Sequence, residues 1–252
     1  VARVRIGSVP YLNARPLIYG LDDEVVKAPP STLAKLLRTG LLDVALAPSV
    51  TLFDADRYRV VPGICIASRG PVRSVILFHL RKPKRLRTVV VDNESRASIM
   101  LLKVLLAKKY EATPEYIPAW RLSLKQSSYD AQLLIGDKAM LHRDVGRKLD
   151  VGAAWHEFVQ VPFMYAFWIA RRDVDLGSTI ERLYEAKAAG VANIDRIAAE
   201  QTVLPKRLAW RYLTENVYHD MGDDELFGFQ LFNRLCVEVG LADKEVAIDF
   251  CR

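Results

Sequence analysis

Cysteine and histidine are scarce, with three of one and four of the other among 252 residues. Cys65, Cys236 and Cys251 are an odd number without the close pairing of a metal site or the density of a disulfide scaffold, so they read as buried or incidental thiols of a reducing cytoplasm. His79, His142, His156 and His219 are scattered, and none forms a His-x-x-x-His or Cys-His pattern, so no metal is expected. No apolar run approaches the roughly 20 residues that span a bilayer; the longest candidate, residues 163–170, has the length of a strand. The opening Val-Ala-Arg-Val-Arg-Ile-Gly lacks the apolar core of a secretory signal, which points to a cytoplasmic protein with no membrane partner. Neither Gly-x-Gly-x-x-Gly nor a phosphate-binding loop occurs, so no nucleotide cofactor, and no cofactor of any kind, is called for. Solenoid repeats, low-complexity tracts and a helix-turn-helix block ahead of the first strand are also missing, and the last absence argues against the effector lobe of a transcription regulator.

What is present is the composition of a globular protein: 51% hydrophobic and 26% charged residues, enough to bury one large core or two ordinary lobes. The net charge of +6 suits solubility, and a mild positive field also steers small anions toward a cleft. Its one dense basic run, residues 81–87, is short and broken by Pro83, so nucleic acid is not an expected partner.

Strand and helix signals alternate through the first half. Residues 4–9 form a first strand ending at Pro10. Ser31-Thr32 opens a helix with Leu33, Leu36 and Leu37 on one face, closed by Gly40. Residues 43–48, 59–67 and 73–80 are β-rich. A second series follows Pro83: a β-branched run at 88–91, a polar turn, a helix carrying Ile99, Leu102, Leu105 and Leu106, and a strand at 131–135. Residues 163–170 are β-prone and aromatic, and could return the chain to the first lobe. From Ser178 the periodicity is helical, including segments at 205–216 and 223–239. Interleaved strands and helices predict α/β architecture with mainly parallel sheets. The expected division is residues 1–74 with 172–252 in one lobe and 75–171 in the other, with a ligand cleft between the lobes where strands end and helices begin.

Several segments carry the chemistry. Ser8-Val9-Pro10-Tyr11-Leu12-Asn13-Ala14-Arg15-Pro16-Leu17 leaves the first strand; Gly40-Leu41-Leu42-Asp43-Val44-Ala45-Leu46-Ala47-Pro48-Ser49 ends another. Gly70-Pro71-Val72-Arg73-Ser74 comes next, and Ser95-Arg96-Ala97-Ser98 starts a helix ahead of Leu134-Ile135-Gly136-Asp137. Asn13 offers two amide hydrogens and an acceptor oxygen to a carboxylate or hydroxyl; its position equally suits capping a helix that begins near Pro16. Ser74 can bond a ligand or simply nearby backbone. The helix start at Ser95–Ser98 is an anion site, plain capping by Ser95, or both. Gly136 permits close approach of a ligand to the backbone, and Asp137 reads as a helix cap or hinge partner more than a base. Tyr11, Trp120, Trp155 and Phe163 are core or cleft-wall aromatics.

In this combination and order the segments resemble the chorismate dehydratases that open the futalosine route to menaquinone. The Leu-Asn-x-x-Pro-Leu and Gly-Pro-Val-x-Ser elements are the specific part; Gly-x-Leu-Asp-Val-Ala is shared more widely among binding proteins of this type. The resemblance implies an α/β, two-lobed type II periplasmic-binding-protein fold and a cofactor-free lyase that converts chorismate, a small dicarboxylate, into 3-[(1-carboxyvinyl)oxy]benzoate. It implies that Asn13 and Ser74 are catalytic, with substrate contacts from Ser8, Tyr11, Ser49, Ser95, Arg96, Ala97, Ser98, Gly136 and Asp137. No motif residue is an obvious strong base, so a substrate carboxylate is a candidate proton acceptor. Asp92-Asn93-Glu94, before Ser95, is more acidic than the family pattern. The alternatives sharing the fold are a non-catalytic small-anion binding protein, which would need an export signal, and 1,4-dihydroxy-6-naphthoate synthase, whose opening motif differs.

Overall fold

The structure is a computed structural model that describes residues 3–21, 24–91, 96–119, 129–142 and 146–251. Strand β1 (Ile6–Ser8) runs into a 3₁₀ segment (Leu12–Ile18), then β2 (Val25–Lys27), helix α1 (Pro30–Arg38), β3 (Val44–Pro48) and the long β4 (Tyr58–Ser68). The helix expected from Ser31-Thr32 starts one residue earlier. Pro30 takes its first turn, where a missing N–H costs nothing and the fixed φ is already helical. Leu33 and Leu37 are its buried stripe, and Gly40, at φ +71°, turns the chain out of it.

The chain then crosses to a second sheet: β5 (Val75–His79), β6 (Thr88–Val91), α2 (Arg96–Lys108), β7 (Glu115–Pro118), β8 (Ala131–Ile135), α3 (Asp137–Leu141), β9 (Arg147–Asp150) and α4 (Val151–Val159). It returns through β10 (Phe163–Arg171) and ends in α5 (Thr179–Ala192), α6 (Ile194–Glu200), α7 (Lys206–Arg211), a π turn (Tyr212–Asn216), β11 (Tyr218–Asp220) and α8 (Asp223–Glu238). Among the described residues, no helix is long and apolar enough to cross a membrane.

The first sheet has the order β11-β4-β10-β3-β1-β2 and the second β7-β6-β8-β5-β9. Parallel pairing joins β1 to β2 and β3, and β6 to β7 and β8. The other pairs are antiparallel, so the sheets are mixed where mainly parallel ones were expected. The reason is topological: the chain passes between the lobes twice, and β10, re-entering the first sheet, runs against both β3 and β4.

That pairing also moves the division of the chain. β10 hydrogen-bonds within the first sheet, so the second lobe's strands end at Asp150 and the boundary expected after residue 171 falls before Phe163. The helical tail, expected in the first lobe alone, packs on both. α5 lies against the 3₁₀ segment so closely that a Cβ on Gly190 would sit 2.0 Å from the carbonyl oxygen of Pro16. Ile197, Leu204, Tyr212, Leu213, Phe232 and Leu235 instead join the apolar core of Leu101, Leu105 and Trp155. Edge-to-face aromatic contacts fasten that seam, with Phe163 5.6 Å from Trp155 and 4.9 Å from Phe232 between ring centres.

Candidate active site

The two segments expected to be catalytic meet at the seam between the lobes. Asn13 lies in the 3₁₀ segment at the exit of β1. Capping is not its work here: Tyr11 occupies the position before the segment and no side chain caps it. The Asn13 amide donates instead from Nδ2 to the hydroxyl of Tyr212 at 3.0 Å. Ser74 is the last residue of the crossing between β4 and β5, and its Oγ accepts a hydrogen bond from the same Tyr212 hydroxyl at 2.9 Å. One phenol thus links Asn13 to Ser74.

The crossing that carries Ser74 is pinned from the end of β9 in the second lobe. Asp150 caps α4 through the N–H of Ala153 at 3.0 Å, and the same carboxylate accepts from the N–H groups of Val72 and Arg73 at 3.1 and 2.7 Å. These bonds hold Arg73 at φ +60°, a conformation an L residue adopts only when its surroundings enforce it. The Ser74 carbonyl then accepts from the N–H of Gly136 at 2.7 Å. Gly136, at φ +64° and ψ −145°, occupies backbone space open to glycine alone, and it turns the chain from β8 into α3.

Around these residues lies a small cavity of about 70 Å³. Of the sequence-predicted contacts, Tyr11, Asn13, Ser74, Ser98, Gly136 and Asp137 line it. Apolar walls come from Val9, Ile66, Val75 and Ile135. Ser8 is fully buried with its hydroxyl on the Val9 carbonyl, and Ser49 is buried with a hydroxyl that has no partner among the described residues; neither lines the cavity. Ala97 is packed in the core, while Arg96 is exposed and faces a separate pocket near Thr51 and Asp54. Ser95, the acidic Asp92-Asn93-Glu94 and Trp120 lie outside the described residues. Trp155 and Phe163 are core, as one of the two readings had it.

The sequence reading missed Tyr165, Tyr212 and His219. Tyr165 lines the cavity and shares a hydrogen bond with Ser68 Oγ at 3.1 Å. His219 is buried with Nε2 2.9 Å from the Asn13 carbonyl oxygen, and burial lowers its pKa, so a neutral ring holds that carbonyl. Tyr212 lies in a segment whose apolar spacing reads as ordinary helix, and no local pattern marks it.

Among the described residues, no lysine or arginine lines this cavity and Asp137 is the one carboxylate that does; burial raises its pKa. An adjoining pocket, which shares Val9, Tyr11, Leu12 and Asp137, brings in Arg15 and Lys27 together with Glu200. The Asn13 Oδ1 is buried and has no hydrogen-bond partner among the described residues. The arrangement offers hydroxyl donors, an amide acceptor and apolar walls to a ligand with both polar and ring character. Among the described residues, no three His, Cys, Asp or Glu side chains gather into a metal-binding group.

Residues 4–238 match a protein family described as menaquinone biosynthesis. The chorismate dehydratase of Thermus thermophilus is 30% identical over 247 residues, covering 88% of this chain and 91% of that one. Among solved structures, a protein of Archaeoglobus fulgidus aligns with a TM-score of 0.75 at 19% identity, over 95% of this chain and 98% of that one. The periplasmic aliphatic sulphonate binding protein of Escherichia coli aligns with a TM-score of 0.64, also at 19% identity, over 97% and 89%. The fold is therefore that of the periplasmic binding proteins.

Proposed function

The chain belongs to the menaquinone biosynthesis family, and from that premise we propose that it removes water from chorismate, the substrate in the name of its Thermus relative. The finer reading is a lyase of the futalosine route that works in the cytoplasm, where its three free, buried cysteines stay reduced.

Chorismate carries two carboxylates, a hydroxyl and a cyclohexadiene ring. In the elimination a ring C–H bond breaks and its electron pair forms the new ring double bond. The C–O bond breaks as the hydroxyl leaves, and hydroxyl and proton depart together as water. The ring becomes aromatic, no electron is passed to an acceptor, and the step is strongly downhill. What the protein must supply is orientation and stabilisation of charge as it develops.

The observation that carries the reading is the meeting of Asn13 and Ser74 at one cavity, from opposite sides of the lobe seam. In our reading both touch the substrate: Ser74 donates to a carboxylate and Asn13 holds the departing hydroxyl. Tyr11, Ser98 and Gly136 frame the ring and its carboxylates. Arg15 and Lys27 draw the dianion toward the mouth. The proton goes to a carboxylate of the substrate itself, since no motif residue is an obvious strong base.

The test is chorismate consumption by the parent, Asn13→Ala and Ser74→Ala, with thermal unfolding followed in parallel. Each variant should lose about 10²-fold or more in turnover if these groups act on developing charge, while remaining folded. Parent-like turnover in both folded variants would reject the assignment.

A further inference from the structure

The Tyr212 hydroxyl is the hub of the site, and its hydrogen bonds define the polarity of both neighbours. A phenol has one proton to donate and lone pairs to accept with. Its proton is committed to Ser74 Oγ at 2.9 Å, and it accepts from Asn13 Nδ2 at 3.0 Å. The Asn13 amide is therefore turned with nitrogen toward Tyr212 and with Oδ1 as its remaining acceptor, and that oxygen has no partner among the described residues. Ser74 Oγ, already accepting from Tyr212, keeps its own proton for another acceptor.

The segment that delivers Tyr212 grips the site at further points. His219 holds the Asn13 carbonyl at 2.9 Å, and Asn216 Nδ2 donates to the carbonyl of Pro71 at 3.0 Å, in the crossing that leads to Ser74. Tyr212 and Asn216 bound the π turn. Such turns interrupt a helix at some cost and are enriched at functional sites. Here the turn brings two buried side chains to both catalytic segments: Tyr212 is 2% exposed and Asn216 9%.

We propose that Tyr212 is a positioning residue that sets the donor–acceptor polarity of the cavity. Asn13 is presented as an acceptor for a ligand hydroxyl, and Ser74 as a donor to a ligand carboxylate. The naming of those ligand groups rests on the chorismate reading above; the polarity itself does not.

Tyr212→Phe keeps the buried ring and removes only the hydroxyl. Three measurements on the full chain test the proposal. In chorismate turnover, kcat should fall about 10- to 10²-fold with the thermal midpoint close to the parent's. In the Asn13→Ala, Ser74→Ala double background, adding Tyr212→Phe should change kcat little, because the hydroxyl acts only through those two groups. A merely structural role would instead lower the thermal midpoint and multiply through every background. The third measurement needs no substrate: hydrogen exchange of the Asn13 side-chain amide, its NMR signal assigned by its loss in Asn13→Ala. Exchange should be at least about tenfold faster in Tyr212→Phe, since the amide loses its buried acceptor. Unchanged exchange together with unchanged kcat, or a fully multiplicative effect, overturns the proposal. A parent that leaves chorismate intact while the exchange difference holds rejects the dehydratase reading and leaves the polarity assignment standing.

Discussion

Asn13→Asp is the substitution that most sharply separates an amide that acts on the substrate from one that merely fits. The shape is preserved, but Nδ2, which donates to Tyr212 at 3.0 Å, becomes an oxygen. At neutral pH the introduced carboxyl places negative charge in a cavity that, among the described residues, holds one carboxylate already and no lining cation. Against a substrate carboxylate at about 4 Å, with an effective dielectric of about 20, the repulsion is roughly 4 kcal/mol. At 1.36 kcal/mol per decade this is a loss of ~10³ in kcat/KM. The same burial raises the pKa of the introduced carboxyl, and its protonated form has the amide's shape with a proton to donate. The loss should therefore shrink as pH falls. In the assay, chorismate consumption is followed across pH for parent, Asn13→Asp and Asn13→Ala. The aspartate variant should recover relative to the parent toward acid pH, and the alanine variant should not. Parent-like kcat/KM in a folded Asn13→Asp, or a pH profile parallel to that of Asn13→Ala, would refute the electrostatic reasoning.

Other expectations follow from the same geometry. Gly190→Ala would push a Cβ to within 2.0 Å of the Pro16 carbonyl oxygen. Overpacking against backbone should cost about 1–3 kcal/mol, seen in the denaturation midpoint, and turnover should fall with it because the displaced segment carries Asn13. Asp137, whose pKa burial raises above the ordinary 3.8, is neutral below its folded pKa and charged above it. Its ionisation opposes both folding and the binding of a dianion, so that penalty is absent below the unfolded pKa and complete above the folded one. KM for chorismate should rise with pH through that range in the parent and stay flatter in Asp137→Asn, with kcat retained; loss of kcat would mark Asp137 as the base. Turnover should survive exhaustive chelation without added nucleotide, and a loss reversed by a divalent metal would show ligation the histidine spacing did not reveal.

How much of this was legible in the sequence depends on the range of the interaction involved. β3, all five residues buried, and the apolar face of α1 announce themselves through composition and period, because the residues that form them also bury them. The short β2, β9 and β11 carry no such signal. Residues 147–150 read Arg-Lys-Leu-Asp and become a strand only because β5 offers an open edge. The antiparallel entry of β10 follows from the route between lobes, which no local window contains. Among the residues lining the cavity, Asn13 and Ser74 are singled out in the sequence by the motifs around them and Gly136 by its place after a strand. The grouping of Tyr212, Asn216 and His219 depends on the tail folding back across the seam, and on a π turn inside what reads as regular helix. Arg96 was expected at the anion site by its position at a helix start, but its side chain emerges on the exposed side of α2, away from the cavity.

The central claim is tested most directly by identifying what the purified protein makes from chorismate, by proton NMR and mass spectrometry of the reaction mixture with no cofactor added. The account predicts an aromatic product lighter than chorismate by one water, with both carboxylates and the enolpyruvyl ether retained, formed by the parent and strongly reduced in Ser74→Ala. Chorismate bound but recovered unchanged, or a product that has lost pyruvate, would contradict it.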